Sequence, residues 1–183
     1  SRGFASTLAW LVGRRGLLDA VVLSGGEPPA QAALGPAMRE VARLGFAVGL
    51  HTGGAYPRRL DEVIDDVDWI GLDVKAPAGG YATVTGIAGS GAAAGASLRL
   101  VVASGVDYEA RTTVHPALVD DDALLRLADE LAALAVKRWV LQPFRRTGCA
   151  DEALVAALPR GASLGEPLLA RLRERVPGVD VRD

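Results

Sequence analysis

Metal-binding and disulfide-forming side chains are scarce in this sequence, which has one cysteine and two histidines among 183 residues. The single cysteine, Cys149, excludes a disulfide framework and a cysteine-only metal cluster within the chain. A cluster that keeps one iron open for a ligand needs three thiolates, so we predict that Cys149 binds no cluster. A chain without disulfides is typical of a reducing compartment, and we expect a cytoplasmic protein.

The sequence also lacks an excess of either charge and lacks long apolar runs. Its 20 basic and 22 acidic residues give a net charge of −2, so we predict binding to neither nucleic acid nor an anionic membrane. Gly, Arg or Asp interrupts the apolar runs well short of the roughly 18 residues that a membrane-spanning helix needs. Half of the residues are apolar, which predicts one domain over residues 1–183 with a sizeable core.

Short apolar runs alternate with helical patterns along the chain, which predicts an α/β fold built of parallel β/α units. A leading helix over 6–12 has no strand before it, and the segment 78–96 has no periodicity and is predicted to be a long loop. The predicted strands are 21–23, 46–50, 69–72, 108–114, 138–141 and a short final one at 179–181. The other predicted helices follow Ala33, Tyr56, Ala96, Val119, Ala150 and Glu166.

The most informative stretch follows the first strand and reads Gly25-Gly26-Glu27-Pro28. The two glycines permit a tight turn and let a ligand approach the backbone, and Pro28 favours an extended Glu27. The Glu27 carboxylate is therefore expected at the carboxyl end of the strand, where α/β folds place their chemistry. In isolation, the same residues also suit a plain turn whose glutamate caps the next helix.

The other predicted strands end in polar groups that one ligand could contact together. Acidic groups would accept from an ammonium or from ribose hydroxyls, and basic groups would hold a carboxylate. Such a site suits a zwitterionic amino acid that bears a sugar. The alternative is that Asp73 pairs with Lys75, and Glu109 with Arg111, as surface ion pairs. The strand-end groups are Gly25, Gly26, Glu27, His51, Thr52, Gly53, Asp73, Lys75, Arg111, Thr113 and Gln142.

These motifs, in this order, resemble the radical S-adenosylmethionine (SAM) enzymes, and most closely the anaerobic ribonucleoside-triphosphate reductase activating proteins, relatives of pyruvate formate-lyase activase. The resemblance extends from about Leu8 to Phe144. It implies a partial parallel (β/α)6 barrel, similar to a TIM barrel, that lacks its first strand in this chain. The motifs that carry it are Gly25-Gly26-Glu27-Pro28, Thr52-Gly53, Asp73-Val74-Lys75, the strand 108–114 and Leu141-Gln142-Pro143-Phe144.

The resemblance also implies which residues bind SAM. The amino group would meet the edge formed by Gly25, Gly26, Glu27 and Pro28, with Thr52 supporting the ligand from the next strand. The ribose and the carboxylate would be held by Asp73, Lys75 and Arg111, and Gln142 would lie on the adenine side.

One departure from the family concerns the cluster. Members carry a Cys-x3-Cys-x2-Cys loop after the first strand, whose thiolates bind a [4Fe-4S] cluster, and this chain has no such loop. The resemblance therefore places the cluster ligands upstream of residue 1 and implies that the chain as given is inactive. A second departure is Gly53, where relatives often have Asn.

The implied activity is reductive cleavage of SAM to a 5′-deoxyadenosyl radical, which removes a hydrogen atom from a glycine of a partner enzyme. The implied partners are a glycyl-radical enzyme, such as anaerobic ribonucleotide reductase, and an electron donor such as flavodoxin or ferredoxin. One alternative is a non-catalytic binding module that kept the barrel without the cluster. Another is a hydrolase-like barrel in which His51, His115 and Asp73 bind a metal.

Overall fold

A computed structural model describes residues 3–159 and 164–182 of the chain. These residues form eight α-helices and six β-strands that alternate for most of the chain. The helices are α1 (Phe4–Val12), α2 (Leu34–Arg43), α3 (Pro57–Asp61), α4 (Tyr81–Thr85), α5 (Ser90–Ser104), α6 (Asp121–Ala133), α7 (Glu152–Ala157) and α8 (Glu166–Arg173). The strands are β1 (Ala20–Leu23), β2 (Ala47–Thr52), β3 (Trp69–Asp73), β4 (Asp107–Val114), β5 (Trp139–Pro143) and β6 (Val179–Val181).

The six strands form one parallel sheet in which the spatial order follows the chain order from β1 to β6. This confirms the predicted α/β class, and the architecture is that of a partial TIM-like barrel. The short strand at Val179–Val181 is also confirmed, since it pairs parallel to β5. In the described sheet β1 pairs only with β2 and β6 pairs only with β5, so these two strands are its edges.

Contacts divide the chain into two compact units, of which the first comprises Ser1–Leu72 and Ala96–Tyr108. Strands β1, β2 and β3 lie in this unit, with Leu23 opposite Leu50 and Gly49 opposite Trp69. The helix predicted after Ala33 is confirmed as α2, and its inner face carries Met38, which is fully buried, and Val41, which is nearly so. Apolar side chains on the helix and the strands therefore form the core of this unit.

An apolar groove of about 540 Å³ lies beside β1 in the first unit, between α1, β1 and the start of α2. Large apolar side chains near it are exposed, with Val22 at 46% and Phe4 at 47%. Strand β1 is thus less covered than β2, whose Val48 and Leu50 are buried.

The second unit comprises Asp73–Gly95 and Glu109–Asp183 and contains β4, β5 and β6. Its strands separate their side chains by type because successive residues point to opposite faces of a sheet. One face carries Ala110, Thr112, Trp139, Leu141 and Val179, and the opposite face carries Glu109, Arg111, Thr113, Gln142 and Asp180 around one buried apolar residue, Val140. The apolar face is closed by fully buried Trp139, whose indole N–H donates to Thr112 Oγ1 at 2.9 Å.

The prediction of a long loop over 78–96 is wrong, because this segment contains α4 and the first turns of α5. Gly86 has a φ of 69° and ends α4, and Ser90 begins α5. A Cβ on Gly91 would lie 2.9 Å from the Cβ of Tyr81. The glycine at position 91 therefore permits close packing of α5 on α4, and it does not mark a loop.

Other helix predictions differ at their boundaries. The helix predicted after Tyr56 is short, since α3 ends at Asp61 and a 3-10 turn follows at Ile64–Asp66. The predicted start of α6 is confirmed, because the side chain of Asp120 accepts from the Ala123 amide. An acceptor at this position pairs one of the otherwise unpaired N–H groups of a helix start.

No single helix within residues 3–159 and 164–182 has both the length and the apolar character to cross a membrane. The segments Ala78–Thr85 and Ser90–Ser104, bent by 120° at their junction, meet those two criteria only when they are taken together.

Candidate functional site

The turn after β1 has the open glycine backbone that its sequence predicts. Gly25 and Gly26 have φ values of 97° and 58°, a region that side-chain-bearing residues rarely adopt. Nothing lies within 4 Å of the position that a Cβ would take on either glycine. Glu27 is extended, with φ −127° and ψ 99°, as expected for a residue before proline. A ligand can therefore approach the backbone of this turn closely.

The carboxylate of Glu27 is held by the end of β2. Its Oε2 accepts from the Gly53 amide at 2.9 Å, and its Oε1 accepts from the Thr52 hydroxyl. The Thr52 hydroxyl in turn accepts from the Gly54 amide at 3.0 Å. The side chain of Glu27 makes no capping bond to the 3-10 turn that follows it, so the helix-capping interpretation is wrong. We call Gly25, Gly26, Glu27, Thr52 and Gly53 the Glu27 cluster.

A second cluster forms at the end of β3 and on β4. Asp73 Oδ1 accepts from Arg111 Nε at 3.0 Å and from Arg111 Nη2 at 2.8 Å. Lys75 Nζ lies 3.7 Å from Asp73 Oδ2. The Arg111 side chain is 10% exposed, whereas those of Asp73 and Lys75 are 38% and 45% exposed. We call these three residues the Asp73 cluster, and its buried member is the arginine.

The phenol of Tyr81 holds the backbone of the Asp73 cluster in place. Its hydroxyl accepts from the Lys75 amide at 3.2 Å and donates to the Asp73 carbonyl at 3.3 Å. Tyr81 is 4% exposed, so this support comes from the interior of the second unit. The Thr112 hydroxyl adds a bond to the Val74 carbonyl at 2.7 Å. The backbone between Asp73 and Lys75 is therefore held from two elements.

The predicted alternative of two separate ion pairs is half correct. Asp73 does pair with Lys75, but the carboxylate partner of Arg111 is Asp73. Glu109 instead accepts from Arg182, with Oε1 to Nη1 at 2.9 Å and Oε2 to Nη2 at 3.0 Å. The hydrogen bond and charge of Glu109 raise the pKa of Arg182 above its ordinary value. Arg138 Nε lies a further 3.7 Å from Glu109 Oε2.

Arg182 and Arg138 are residues that the sequence analysis missed. Arg182 lies beyond Phe144, where the family resemblance ends, and the position of β6 beside β5 brings it to Glu109. A signal was present in the alternation of β6, since Asp180 and Arg182 flank apolar Val181.

Gln142 lies on β5, opposite Thr113 of β4 in the parallel register. It is half-buried and on the same face of the sheet as Arg111, which precedes Thr113 by two residues. Within the second unit, Gln142 therefore lies on the sheet face that carries Arg111.

The two histidines have structural contacts. His115 is 1% exposed, its Nδ1 accepts from the Ala117 amide at 3.1 Å, and its Nε2 donates to the Leu154 carbonyl at 2.9 Å. Because both ring nitrogens are occupied, His115 is a poor metal ligand. His51 packs edge-on against Trp69, with ring centroids 5.5 Å apart. In the described residues, no three His, Cys, Asp or Glu side chains are gathered for a metal ion.

Cys149 is half-buried, and its Sγ lies 3.7 Å from the carbonyl oxygen of Asp151. One thiol cannot supply the three ligands of a [4Fe-4S] cluster with an open iron. The residues of this chain therefore do not fit that cluster.

The fold and the two clusters define an α/β protein with polar groups at the carboxyl ends of parallel strands, and solved structures share this fold. A domain of pyruvate-formate lyase-activating enzyme from Bacteroides vulgatus ATCC 8482 is 16% identical, with a TM-score of 0.68 over 90% of this chain and 99% of that one. TYW1 with a lysine-pyruvate adduct bound is 16% identical, with a TM-score of 0.65 over 94% of this chain and 60% of that one.

Streptococcus suis SuiB bound to S-adenosylmethionine is 9% identical, with a TM-score of 0.63 over 85% of this chain. The chain spans only 38% of the length of SuiB and 60% of the length of TYW1. At these identities the similarity shows a shared fold. No protein-family model and no curated protein matches the sequence.

Proposed function

We propose that this chain is the SAM-binding core of a radical SAM protein. The observation that carries the proposal is the Glu27 cluster. Its two turn glycines have open space beside their Cα atoms, and the carboxylate that follows them is held by neutral hydrogen-bond donors. The shared fold supports the proposal, since one of the similar structures is described with S-adenosylmethionine bound.

The Glu27 cluster suits the amino group of SAM. Each carboxylate oxygen of Glu27 accepts one hydrogen bond from a neutral donor and retains a lone pair. Neither oxygen forms an ion pair with Lys or Arg among the described residues, so the charge of Glu27 is available to an ammonium. In this assignment Thr52 orients Glu27 while Gly25 and Gly26 present backbone groups to the ligand, with Pro28 ending the turn.

The Asp73 cluster suits the carboxylate and the ribose. Arg111 presents a fork of N–H donors, which matches a carboxylate. Asp73 is an acceptor for ribose hydroxyls, and Lys75 is a second cation at the exposed side of the cluster. Gln142 has a donor and an acceptor for an adenine edge. Asp73 already accepts from Arg111, so a ligand carboxylate that binds Arg111 here shares the guanidinium with Asp73 or replaces Asp73.

Bound SAM supplies a sulfonium group whose one-electron cleavage is the chemistry of this class. The electron for this cleavage would come from an iron-sulfur cluster, for which this chain has no set of ligands. The proposed activity therefore belongs to a protein that holds the cluster through other residues. The residues of this chain bind and orient the ligand.

The glycyl-radical activase subtype is a finer proposal. It is supported by the order of motifs in the sequence and by the fold shared with a domain of pyruvate-formate lyase-activating enzyme. In that case the partner is a glycyl-radical enzyme, such as anaerobic ribonucleotide reductase. The electron donor would be a flavodoxin or ferredoxin in the cytoplasm.

A titration of the ¹⁵N-labelled chain with SAM, without oxygen, tests the binding proposal. We expect saturable shifts of the Gly25, Gly26 and Gly53 amides and of the Arg111 Nε–H signal. S-adenosylhomocysteine and methionine are the comparison ligands, and ATP, which carries the adenosine without the amino acid, is the control. Equal shifts with ATP, or no saturable shift with SAM at any of these groups, would contradict the proposal.

The second candidate is a binding module that uses the same clusters without radical chemistry. The observation that favours it is the single cysteine of the chain. Reading the gene for about 40 residues upstream, a length sufficient for a strand and a loop, distinguishes the two. A Cys-x3-Cys-x2-Cys motif there supports the enzyme, and its absence supports the module.

A further inference from the structure

Glu109 is the most deeply buried carboxylate side chain in the ion pairs of the described residues, at 3% exposure, and it lies on β4 two residues before Arg111. Both side chains project from the same face of the strand. Two residues of strand span about 6.6 Å, which a flexible guanidinium side chain can cross. Arg111 thus has two carboxylates within its range, Glu109 on its own strand and Asp73 on the next.

The observed pairing resolves this competition in favour of Asp73. Arg111 donates twice to Asp73 Oδ1, while both oxygens of Glu109 are occupied by Arg182 in a bidentate pair. Arg138 contributes weakly, because its Nε is 3.7 Å away and its side chain is 55% exposed. A buried carboxylate that loses its cation recruits another one, since an unpaired buried charge is strongly unfavourable.

We propose that Arg182 is a positioning residue for Arg111, because its pair with Glu109 leaves the Arg111 guanidinium to Asp73. Glu109 without Arg182 takes Arg111 and draws the guanidinium away from the strand ends. Arg182 donates to the Glu109 carboxylate, which raises the pKa of Arg182, so Arg182 keeps its charge over the ordinary pH range. The ion pair between Arg182 and Glu109 is therefore present throughout the ordinary pH range.

The proposal has a structural part and a part that rests on the proposed function. The structural part concerns the partner of Arg111 and is independent of any ligand. The functional part states that SAM affinity depends on Arg182, although Arg182 does not contact the ligand.

The Arg111 Nε–H signal in the ¹H–¹⁵N spectrum of the 183-residue chain tests the structural part. This signal is assigned by its loss in Arg111→Lys. In Arg182→Gln we expect the signal to move and its protection from exchange with water to fall about tenfold, the equivalent of one charge-assisted hydrogen bond. Arg138→Gln/Arg182→Gln is expected to give a larger change than Arg182→Gln alone.

Rescue distinguishes positioning from a general loss of structure. In Glu109→Gln/Arg182→Gln the competing carboxylate is absent, so the Arg111 signal should return to its original position. Arg171→Gln, which removes an exposed arginine from α8, is the matched control and should leave the signal unchanged. An unmoved signal in Arg182→Gln, or a displaced signal in the double variant, would overturn the inference.

Titration of the same variants with SAM tests the functional part. We expect Arg182→Gln to weaken SAM binding about tenfold and Glu109→Gln/Arg182→Gln to restore it. If the original chain binds no SAM, the proposed function fails while the spectroscopic result stands. If the original chain binds SAM and Arg182→Gln binds it equally well, the functional part of the inference fails.

Discussion

Glu27 in the first unit and Asp73 in the second are both carboxylates at the end of a parallel strand, yet their partners differ in charge. Glu27 is held by a hydroxyl and a backbone amide, which are neutral. Asp73 is held by Arg111 and lies near Lys75, which are cations. The Glu27 cluster therefore keeps a net negative charge, whereas the three side chains of the Asp73 cluster sum to one positive charge.

This difference separates two ways of preparing a binding site. Neutral donors orient a carboxylate without neutralising it, so the charge remains for a ligand cation. A cationic cluster suits a ligand anion, but its own carboxylate competes for the same donors. Substitutions that change one cluster should therefore affect different parts of a zwitterionic ligand.

The largest effect is expected from Arg111→Met, which removes the buried member of the Asp73 cluster. Two charge-assisted bonds are lost, and the free energy of unfolding should fall by about 2–3 kcal/mol. An exposed surface pair would contribute only about 0–1 kcal/mol, but the Arg111 side chain is 10% exposed. Urea denaturation of the chain measures the change, with Arg171→Met as the exposed control. Equal midpoints for the two variants would show that the Asp73 cluster does not stabilise the fold.

The next effect is expected from Glu27→Gln, which makes the Glu27 cluster neutral. An amide has one oxygen, so either the Thr52 hydroxyl or the Gly53 amide loses its acceptor, and stability should fall by about 1–2 kcal/mol. Exposed Glu62→Gln is the control. In titration calorimetry, Glu27→Gln should lower the affinity for SAM more than it lowers the affinity for a ligand that lacks the amino group. A uniform loss for both ligands would assign Glu27 a structural role only.

A smaller effect is expected from Gly25→Ala. The residue has a φ of 97°, so a side chain is strained there, and we expect a loss of about 1 kcal/mol. Gly79→Ala is the matched control, because it also faces open space and its φ lies outside the left-handed region. The two melting temperatures, measured side by side, test whether the backbone conformation of the turn requires glycine. Identical values would show that it does not.

The smallest effect is expected from Lys75→Ala. The ion pair with Asp73 is long, at 3.7 Å, and both side chains are more than a third exposed, so stability should change by about 0–0.5 kcal/mol. The remaining difference should vanish in 0.5 M NaCl, because salt screens exposed charges. A larger change that persists in high salt would mean that Lys75 has a structural role comparable to that of Arg111.

Local patterns predicted the backbone conformation and the sheet faces of the strand-end residues better than they predicted the pairs among their side chains. The extended Glu27 followed from Pro28, and the shared face of Glu109 and Arg111 followed from strand alternation. The partner of Arg111 could not be predicted in the same way, because Glu109 is only two residues away in the sequence, whereas the observed partner, Asp73, is 38 residues away and meets Arg111 only in the folded unit. The loop predicted over 78–96 was wrong for a related reason, since a glycine that permits packing and a glycine that permits bending look alike in sequence.

The sequence alone determined the alternation of strands and helices, the face on which each strand side chain lies, and the polar character of the strand ends. These properties depend on residues a few positions apart, where periodicity and backbone preference are decisive. Only the tertiary structure decided that Glu27 bonds to Thr52 and Gly53, and that Arg182 takes Glu109 and so leaves Arg111 to Asp73. Those choices depend on distances between residues 25 to 73 positions apart, which are set by the packing of the strands and by the competition of charges for few partners.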